Sequence, residues 1–336
     1  MRRESTRIDR AGTKRVCVAI PTYRRKRLLS ALLEGLREIG VPTDCEVSVV
    51  VFDNDIDRSA ETTVVSARFP FPFSLEYVHV PEPGLATVRN RALDVAISSS
   101  FEFLAMIDDD ECPQRQWLEE LLRVQSTSDA DAVIGAVPQE LPKGTPRWIR
   151  RGRFFDLPVY DDGAVLKYGY SGNCLLKTST LVACDIRFDE ALNFAGGEDM
   201  LFFRQLYLQR AKIVYAARAV AVEEVHQDRL NLSYILRMQF RRGNTLAICD
   251  RRLQKGPVVT WLRAGKSVIR LGIGLCLALP LTALRGKAGA VAAFGYVMQA
   301  LGAFAGLLGH IYLGYRRKTV RDCRIGGTSL GNEGDV

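Results

Sequence analysis

Three consecutive aspartates, Asp108, Asp109 and Asp110, follow directly on an apolar run that ends at Ile107. If that run is a buried strand, the aspartates lie at the edge of a sheet. Alternate carboxylates such as Asp108 and Asp110 suit a hard divalent cation, Mg²⁺ or Mn²⁺, whose other ligands are diphosphate oxygens and water. Such a cation stabilises a departing diphosphate as a Lewis acid. Acidic loops are common, so a solvated turn is the alternative for the string alone.

A second acidic site lies at the predicted start of a helix, in the segment Gly196-Gly197-Glu198-Asp199. Transfer to a hydroxyl needs a base that takes up its proton, and Asp199 is the candidate. The competing interpretation is that the two acids only complement the helix dipole. His226 follows the last predicted strand and is a further candidate metal ligand through its neutral imidazole, with a purely structural role as the alternative.

Short apolar runs alternate with helical patterns, which predicts an α/β fold with a mainly parallel sheet flanked by helices. The ligand crevice of such a sheet lies beyond the carboxyl ends of its strands, where the acidic string stands. The predicted strands are 16–20, 46–52, 75–80, 101–107, 132–137, 169–176 and 213–222. The predicted helices are 28–39, 87–97, 117–124, 200–209 and 233–251. Residues 138–170 are rich in Pro, Gly and aromatics and are interpreted as a long functional loop.

The composition excludes a wholly disordered or collagen-like chain, since 47% of the residues are hydrophobic and 25% are charged. Neither G-x-G-x-x-G after the first strand nor a Walker phosphate loop is present, so a bound nucleotide must be held in another way. The apolar run 16–20 is too short for a secretory signal, and no cysteine pair has C-x-x-C spacing. Both observations predict that the catalytic part stays in a reducing cytoplasm.

The formal net charge of +8 is concentrated in the C-terminal third, where two long apolar stretches lie. Stretch 268–284 carries one charge, Arg270, and stretch 288–315 carries none, which is long enough to cross a bilayer. Basic residues that flank apolar stretches indicate contact with anionic membrane lipid, and no nucleic acid is predicted as a partner.

Two crossings would place the turn 285–287, with its two basic residues, on the far side of the membrane, against the positive-inside bias. Helices that lie in the cytoplasmic leaflet avoid that conflict. The alternative is the buried helical hairpin of a soluble oligomer.

The sequence resembles the inverting, nucleotide-sugar-dependent glycosyltransferases of family 2, which have the GT-A fold. The resemblance covers residues 14–252. It rests on the order and spacing of Ile20-Pro21-Thr22-Tyr23-Arg24, Phe52-Asp53-Asn54, Gly84-Leu85-Ala86-Thr87-Val88-Arg89-Asn90, Asp108-Asp109-Asp110, Gly172-Asn173 and Gly197-Glu198-Asp199.

The resemblance implies roles for individual residues. It implies that Asp110 and His226 bind the divalent metal, and that Asp199 is the catalytic base. The implied contacts to the nucleotide sugar are Pro21, Thr22, Tyr23, Asp53, Arg89, Asp108 and Asp109, with Asp53 accepting from the uracil N–H. The implied contacts to the acceptor are Gly172, Asn173 and Glu198.

Within this family the pattern is similar to the rhizobial exopolysaccharide enzymes of the succinoglycan type, which add glucose to a lipid-linked repeat unit. The likeness implies a UDP-sugar donor and an undecaprenyl-diphosphate-linked oligosaccharide acceptor at the cytoplasmic face of a bacterial inner membrane. Processive members carry Q-x-x-R-W, whereas here Gln239-Phe240-Arg241-Arg242 is followed by Gly243. The missing tryptophan favours the addition of a single sugar.

Two other functions remain open on the sequence. A sugar nucleotidyltransferase would normally show a Gly-rich first loop, which Ile20-Pro21-Thr22-Tyr23 lacks, and a non-catalytic carbohydrate-binding scaffold is disfavoured by the intact acids at 108, 110 and 199. The expected organisation is a basic segment 1–13, a catalytic domain 14–252, membrane-associated helices 258–318 and a flexible tail 319–336.

Overall fold

The computed structural model describes residues 12–253 and 256–314. Most of the predicted basic segment, the basic cluster 316–318 and the predicted tail 319–336 lie outside the described residues.

The strands form a mixed sheet in which most neighbours run parallel. They are β1 (Lys14–Thr22), β2 (Cys45–Asp53), β3 (Ser74–His79), β4 (Phe103–Ile107), β5 (Glu111–Pro113), β6 (Ala132–Ala136), β7 (Gln139–Glu140), β8 (Val165–Leu166), β9 (Asn173–Lys177) and β10 (Ile213–Glu224). The order across the sheet is β3-β2-β1-β4-β9-β6-β10-β5. Strand β1 runs parallel to β2 and β4, whereas β9 lies antiparallel between β4 and β6.

Helices cover both faces of the sheet. They are α1 (Lys26–Arg37), α2 (Glu61–Ala67), α3 (Leu85–Ser98), α4 (Trp117–Ser128), α5 (Arg147–Gly152), α6 (Thr178–Cys184), α7 (Glu198–Leu208), α8 (Leu232–Leu253), α9 (Pro257–Arg285) and α10 (Lys287–Leu307). Alternate side chains of β1 point to opposite faces, so Val16, Val18 and Ile20 pack with α1 and α4, and Cys17 and Ala19 pack with α3. A strand buried on both faces explains the continuous apolar run in the sequence.

Residues 138–170, which were interpreted as a long loop, contain β7, α5 and β8. Helix α5 is held by an apolar cluster in which Ile149 and Phe155 pack with Ile235 of α8 and Val291 of α10. The segment therefore joins the catalytic part to the C-terminal helices.

Helices α9 and α10 form a hairpin, and both are long and apolar enough to cross a membrane by length and composition. They are not equally covered, because 39% of the most apolar stretch of α10 is buried against 11% for α9. Helix α10 packs along α8 at glycines: the backbone of Gly243 lies against the carbonyl oxygen of Gln299, and that of Gly302 against the carbonyl oxygen of Phe240. Helix α9 is thus the outer, exposed helix.

The turn between α9 and α10 lies against the catalytic part. Arg151 of α5 donates to the carbonyl oxygen of Leu284 at 3.1 Å, and the Lys287 ammonium lies 4.6 Å from the centre of the Trp148 ring. These two contacts hold the turn of the hairpin against α5.

Candidate active site

A cavity of about 650 Å³ opens where β1, β2 and β4 end and α3 begins. The carboxyl ends of parallel strands meet at one edge of a sheet, so polar residues that are far apart in the sequence come together there. The cavity is lined by the predicted residues Pro21, Thr22, Tyr23, Arg89, Asp108, Asp109, Asp110, Gly172 and Asp199.

Asp109 is the most enclosed member of the acidic string. The Thr22 hydroxyl donates to its carboxylate at 2.8 Å, and the Arg25 guanidinium donates at 2.7 Å. Burial is the main reason why the pKa of Asp109 is raised to about 6, and the neighbouring Asp110 carboxylate adds to it while Arg25 opposes it. Both carboxylate oxygens of Asp109 are thus hydrogen-bonded, and they fix the segment from Thr22 to Arg25 at the end of β1.

Asp110 lies between two arginines. Arg25 donates to its carboxylate at 3.0 Å, and Arg229 lies 3.6 Å away on the other side. Arg229 also pairs with Glu223 at the end of β10, at 2.8 Å. Asp110 therefore contacts charged side chains from two other segments of the chain, the one before α1 and the one after β10.

Arg89 of α3 links the string to α7. Its buried guanidinium donates to Asp108 at 3.0 Å and forms a buried ion pair with Glu198. Glu198 directly precedes Asp199, so one arginine sets the position of both acidic sites relative to each other. Burial, together with the charge of Asp199, raises the pKa of Glu198 to about 7.

Asp199 lies in the first turn of α7 with its side chain at the cavity. Gly197, before the helix, has a φ of +92°, which a glycine adopts without strain, and a Cβ there would collide with Thr245 of α8. The Asp199 carboxylate also accepts from the backbone N–H of Met200 at 2.6 Å, so the helix-dipole interpretation describes part of its environment. Burial raises its pKa and the Asp108 charge adds to this, while Arg89 opposes it. A carboxylate with a raised pKa that faces a cavity is suited to accept a proton.

Gly172 brings its backbone close to two acids. A Cβ at this position would lie 2.5 Å from Oε1 of Glu111 and 3.1 Å from Oδ2 of Asp108, so a larger residue would displace them. The carbonyl oxygen of Gly172 accepts from the backbone N–H of Asp108 at 3.0 Å. The glycine therefore sets the floor of the cavity beneath the acidic string.

Two residues that were predicted to contact substrate, Asp53 and Asn173, are instead buried and hydrogen-bonded to other parts of the protein. The carboxylate of Asp53 accepts from the backbone N–H groups of Asp55 and Ala60 and from the Tyr77 hydroxyl, and its side chain is fully buried. Asn54, the next residue, lines the cavity instead. The structure does not bring Asp53 to the cavity surface.

Asn173 is likewise enclosed. Its amide accepts from the Trp117 indole N–H at 2.8 Å and donates to the carbonyl oxygens of Ala136 and Ala219. Both N–H donors and the oxygen of the amide are therefore engaged inside the protein, which makes Asn173 a buried link between β9, β6, β10 and α4.

Glu198 and His226 also do not line the cavity. Glu198 is buried behind Arg89. The side chain of His226 is 68% exposed, and its Nδ1 atom lies 3.4 Å from a carboxylate oxygen of Asp228. In this structure His226 therefore stands apart from Asp110, the other predicted metal ligand.

The cavity contains functional candidates that the sequence analysis did not single out. Glu111 is buried directly after the string, and no described residue donates to its Oε2 atom. Burial first, then the charges of Asp108, Asp110 and Glu223, raise the pKa of Glu111 well above its usual value. The sequence signal for Glu111 is its place as the fourth consecutive acid. Arg25, Arg229 and Glu223 give no such signal, because long-range folding alone brings them to Asp110.

The donor set fits a hard divalent cation. The carboxyl groups of Asp108, Asp110, Glu111 and Glu223 line the same cavity, and the Oε2 atom of buried Glu111 has no hydrogen-bond donor among the described residues. Among residues 12–253 and 256–314, no three Asp, Glu, His or Cys side chains form a ready-made metal cluster. A cation there would need additional ligands from a diphosphate and water.

The opposite wall of the cavity comes from α8 and from the segment 138–170. It carries aromatic, apolar and basic side chains: Phe155, Leu157, Tyr234, Met238, Arg241 and Arg242. The cavity is therefore acidic at the strand ends and basic at α8.

Residues 17–182 match the sequence model of the family described as Glycosyl transferase family 2. The succinoglycan biosynthesis protein ExoM of Rhizobium meliloti (strain 1021) is 35% identical over 234 residues, which cover 69% of this chain and 74% of ExoM.

Two solved structures share the fold. The mannosyltransferase PcManGT from Pyrobaculum calidifontis, in complex with GDP-Man and Mn²⁺, has a TM-score of 0.59 at 17% identity and covers 89% of this chain and 88% of its own. Residues 1–349 of S. aureus TarS in complex with UDP have a TM-score of 0.51 at 18% identity, with 88% of this chain and 92% of that one covered. The chain spans 55% of a longer TarS chain.

At these low identities the solved structures are evidence of the fold alone, and they confirm the predicted GT-A fold. The identity with ExoM extends over more than two thirds of both proteins. The chain therefore belongs to glycosyltransferase family 2 and is a glycosyltransferase.

Proposed function

We propose that this protein transfers a single hexose, glucose, from UDP-glucose with inversion onto an undecaprenyl-diphosphate-linked oligosaccharide. The reaction takes place at the cytoplasmic face of a bacterial inner membrane and serves exopolysaccharide synthesis. The likeness to ExoM, which is named for succinoglycan biosynthesis, supports the biological setting. TarS, which shares the fold, has been solved with UDP, in keeping with a UDP-sugar donor.

The observation that carries the proposal is that Asp199 and the string Asp108 to Asp110 line one cavity. They arise from separate segments, at the start of α7 and after β4, and Arg89 ties them together through Glu198 and Asp108. Transfer of a sugar requires a site for the departing nucleotide diphosphate and a base for the incoming hydroxyl. The cavity supplies acidic groups for both tasks. They lie close together, because the single side chain of Arg89 contacts both Asp108 and Glu198, the neighbour of Asp199.

In the proposed reaction the acceptor hydroxyl attacks the anomeric carbon of the donor sugar, and Asp199 takes up its proton. The bond between that carbon and the diphosphate oxygen breaks, and the electron pair leaves with UDP. Attack opposite the leaving group inverts the configuration. Asp199 suits this role because burial raises its pKa above that of an exposed aspartate, which makes its carboxylate the stronger base.

Asp110, with Asp108 and Glu111 beside it, would hold the divalent cation that we propose as cofactor. A bound cation supplies Lewis-acid stabilisation of the diphosphate. The chain's own contribution at the same place is Arg25 and Arg229, whose guanidinium groups flank Asp110 and take up negative charge as UDP departs. Thr22, Tyr23 and Asn54 stand at the neighbouring strand ends, where they form the proposed cradle for the nucleoside.

The exposed face of α9 provides the proposed contact with the membrane. Trp261, Leu279 and Leu284 are 77%, 84% and 72% exposed, which is unusual for such large apolar side chains in a folded chain. Lys266 and Arg270 lie on the same helix and suit anionic lipid headgroups. A hairpin in the plane of the membrane holds the cavity next to a lipid-linked acceptor.

Gly243 bears on the proposal that one sugar is added. It stands where processive relatives carry a tryptophan, and its backbone packs against the carbonyl oxygen of Gln299 in α10. A side chain at this place would separate α8 from α10, so the structure has no room for a tryptophan that holds a growing chain. This supports release of the product after one transfer.

The test is a donor-and-acceptor screen with the full-length enzyme and membranes charged with defined lipid-linked intermediates. The proposal predicts transfer of one hexose from a UDP-sugar, and Asp199→Asn should retain UDP affinity while turnover falls by about 10²- to 10⁴-fold. An Asp199→Asn variant that unfolds at lower temperature but transfers at the wild-type rate would identify the residue as a helix cap only.

A further inference from the structure

A second cavity, of about 260 Å³, opens beside the first and shares three of its lining residues, Tyr234, Met238 and Arg241. Arg237 also lines it. Residues 234, 237, 238 and 241 are spaced by three and four positions along α8, so they form one face of that helix. This face continues from the active-site cavity into the second cavity.

The second cavity lies where the C-terminal hairpin rejoins the catalytic part. Tyr312, which lines it, follows α10 and is held on α8, because its backbone N–H donates to Asn244 at 2.9 Å and its ring packs edge-on against Phe240 at 5.4 Å. The same hairpin presents the apolar face of α9. A ligand that runs from the active site through the second cavity therefore approaches the proposed membrane surface.

The charges at the two ends of the combined cavity differ. At the strand ends every arginine has a carboxylate partner: Arg25 pairs with Asp109 and Asp110, Arg89 with Asp108 and Glu198, and Arg229 with Glu223 and Asp110.

At α8, in contrast, neither Arg237 nor Arg242 has a carboxylate partner among the residues that the structure describes. Arg242 is half-buried, and burial together with the nearby charge of Arg241 lowers its pKa. A half-buried cation without a counter-charge is unfavourable, and a bound anion would relieve it.

We propose that Arg237, Arg241 and Arg242 bind the diphosphate that joins the acceptor sugar to its lipid, at a site separate from the phosphates of the donor. The inference rests on the proposed function, which supplies a lipid-linked acceptor. Guanidinium groups bind phosphate oxygens in a bidentate manner, and Tyr234 and Met238 provide apolar surface for the first isoprene units. The cavity thus separates its two anions, with the donor diphosphate at the acidic, cation-binding end and the acceptor diphosphate at the basic end.

The experiment uses full-length protein in detergent, saturated with UDP and Mn²⁺, and farnesyl diphosphate as the probe for titration calorimetry. Arg242→Gln should raise the Kd for farnesyl diphosphate about 10-fold, equivalent to about 1.4 kcal/mol, and Arg237→Gln should act in the same direction. The Kd for UDP should stay within twofold of the wild-type value in both variants. Arg27→Gln, which removes one exposed positive charge on α1 away from both cavities, is the matched control and should leave both affinities unchanged.

Three outcomes would overturn the site. Farnesyl diphosphate could bind Arg242→Gln as tightly as wild type. The substitution could instead weaken UDP, which would assign Arg242 to the donor. Vesicles of phosphatidylglycerol could compete fully with the probe, which would identify a general headgroup site. A wild-type protein that binds the probe through Arg242 yet transfers no sugar in the acceptor screen would support the anion site and contradict the proposed function, so the two failures are distinguishable.

Discussion

Arg25 donates to the carboxylate of Asp110 at 3.0 Å, so the aspartate proposed to bind a metal is partly neutralised by an arginine that precedes α1. A cation that binds Asp110 must compete with this guanidinium. When the donor diphosphate is present, Arg25 has an alternative anionic partner. We therefore expect the proposed metal and the nucleotide sugar to bind together more readily than either binds alone.

Asp110→Ala should remove metal-dependent UDP binding and abolish transfer, because one carboxylate is a large part of the protein's own ligation of the cation. Titration of UDP in the presence and absence of Mn²⁺ checks this. Asp44→Ala removes an exposed carboxylate just before β2, at the end of the strand opposite to the cavity, and should behave as wild type. Unchanged dependence of UDP affinity on metal in Asp110→Ala would contradict the metal assignment.

The fall of kcat at acidic pH, the acid limb of the rate profile, should reflect the protonation of Asp199. Burial raises its pKa above the ordinary 3.8, and a base works only when deprotonated, so turnover at saturating donor should fall as the pH drops through that raised value. Asp108→Asn removes a negative charge that raises the pKa of Asp199, and should therefore shift the acid limb to lower pH. A profile of kcat against pH measures both. An acid limb that is the same in wild type and Asp108→Asn would be evidence against the assignment of the limb to Asp199.

Gly243→Ala and Gly272→Ala should change stability in opposite directions. A Cβ at Gly243 would collide with the backbone of Gln299, so the substitution should lower the free energy of unfolding by about 1–3 kcal/mol. Nothing lies within 4 Å of a Cβ at Gly272 in α9, where alanine is the better helix former and should add about 0.5–1 kcal/mol. Thermal unfolding of the full-length protein in detergent measures the two effects. Equal shifts for both variants would rule out close packing of α8 on α10.

Trp261→Ser combined with Leu279→Ser should weaken binding to anionic vesicles and slow transfer to a membrane acceptor, because both side chains lie on the exposed face of α9. UDP affinity should be unchanged. Val159→Ser removes an exposed apolar side chain, 81% exposed, from the catalytic part and is the control. Co-sedimentation with vesicles at low and high salt gives the readout. Should the double variant sediment like wild type, the membrane would have to contact another surface.

The order of elements and the cavity at the strand ends were predictable because buried strands and amphipathic helices leave strong periodic patterns in the sequence. Strand β4 ends at Ile107 because the apolar run ends there, and Thr22, the last residue of β1, likewise lines the cavity. The internal use of Asp53 was not predictable, since its partner Tyr77 lies on the neighbouring strand β3 and no local pattern links the two.

Ion pairs between segments that are distant in the sequence could also not be predicted from the sequence. Arg229 reaches Asp110 only because β10 crosses the sheet next to β5. The contact of Arg151 with the carbonyl oxygen of Leu284 likewise depends on how the hairpin folds back, which apolar length alone does not determine.

The central claim is that one hexose is transferred with inversion from a UDP-sugar to a lipid-linked acceptor. Its most direct test is nuclear magnetic resonance of the product formed by full-length enzyme from UDP-[¹³C]glucose and the lipid-linked acceptor. We expect a single added residue with the β-anomeric configuration, the inverse of the α-linked donor, and no labelled product with Asp199→Ala. An α-linked product, a chain of several added residues, or transfer that persists without Asp199 would contradict the account.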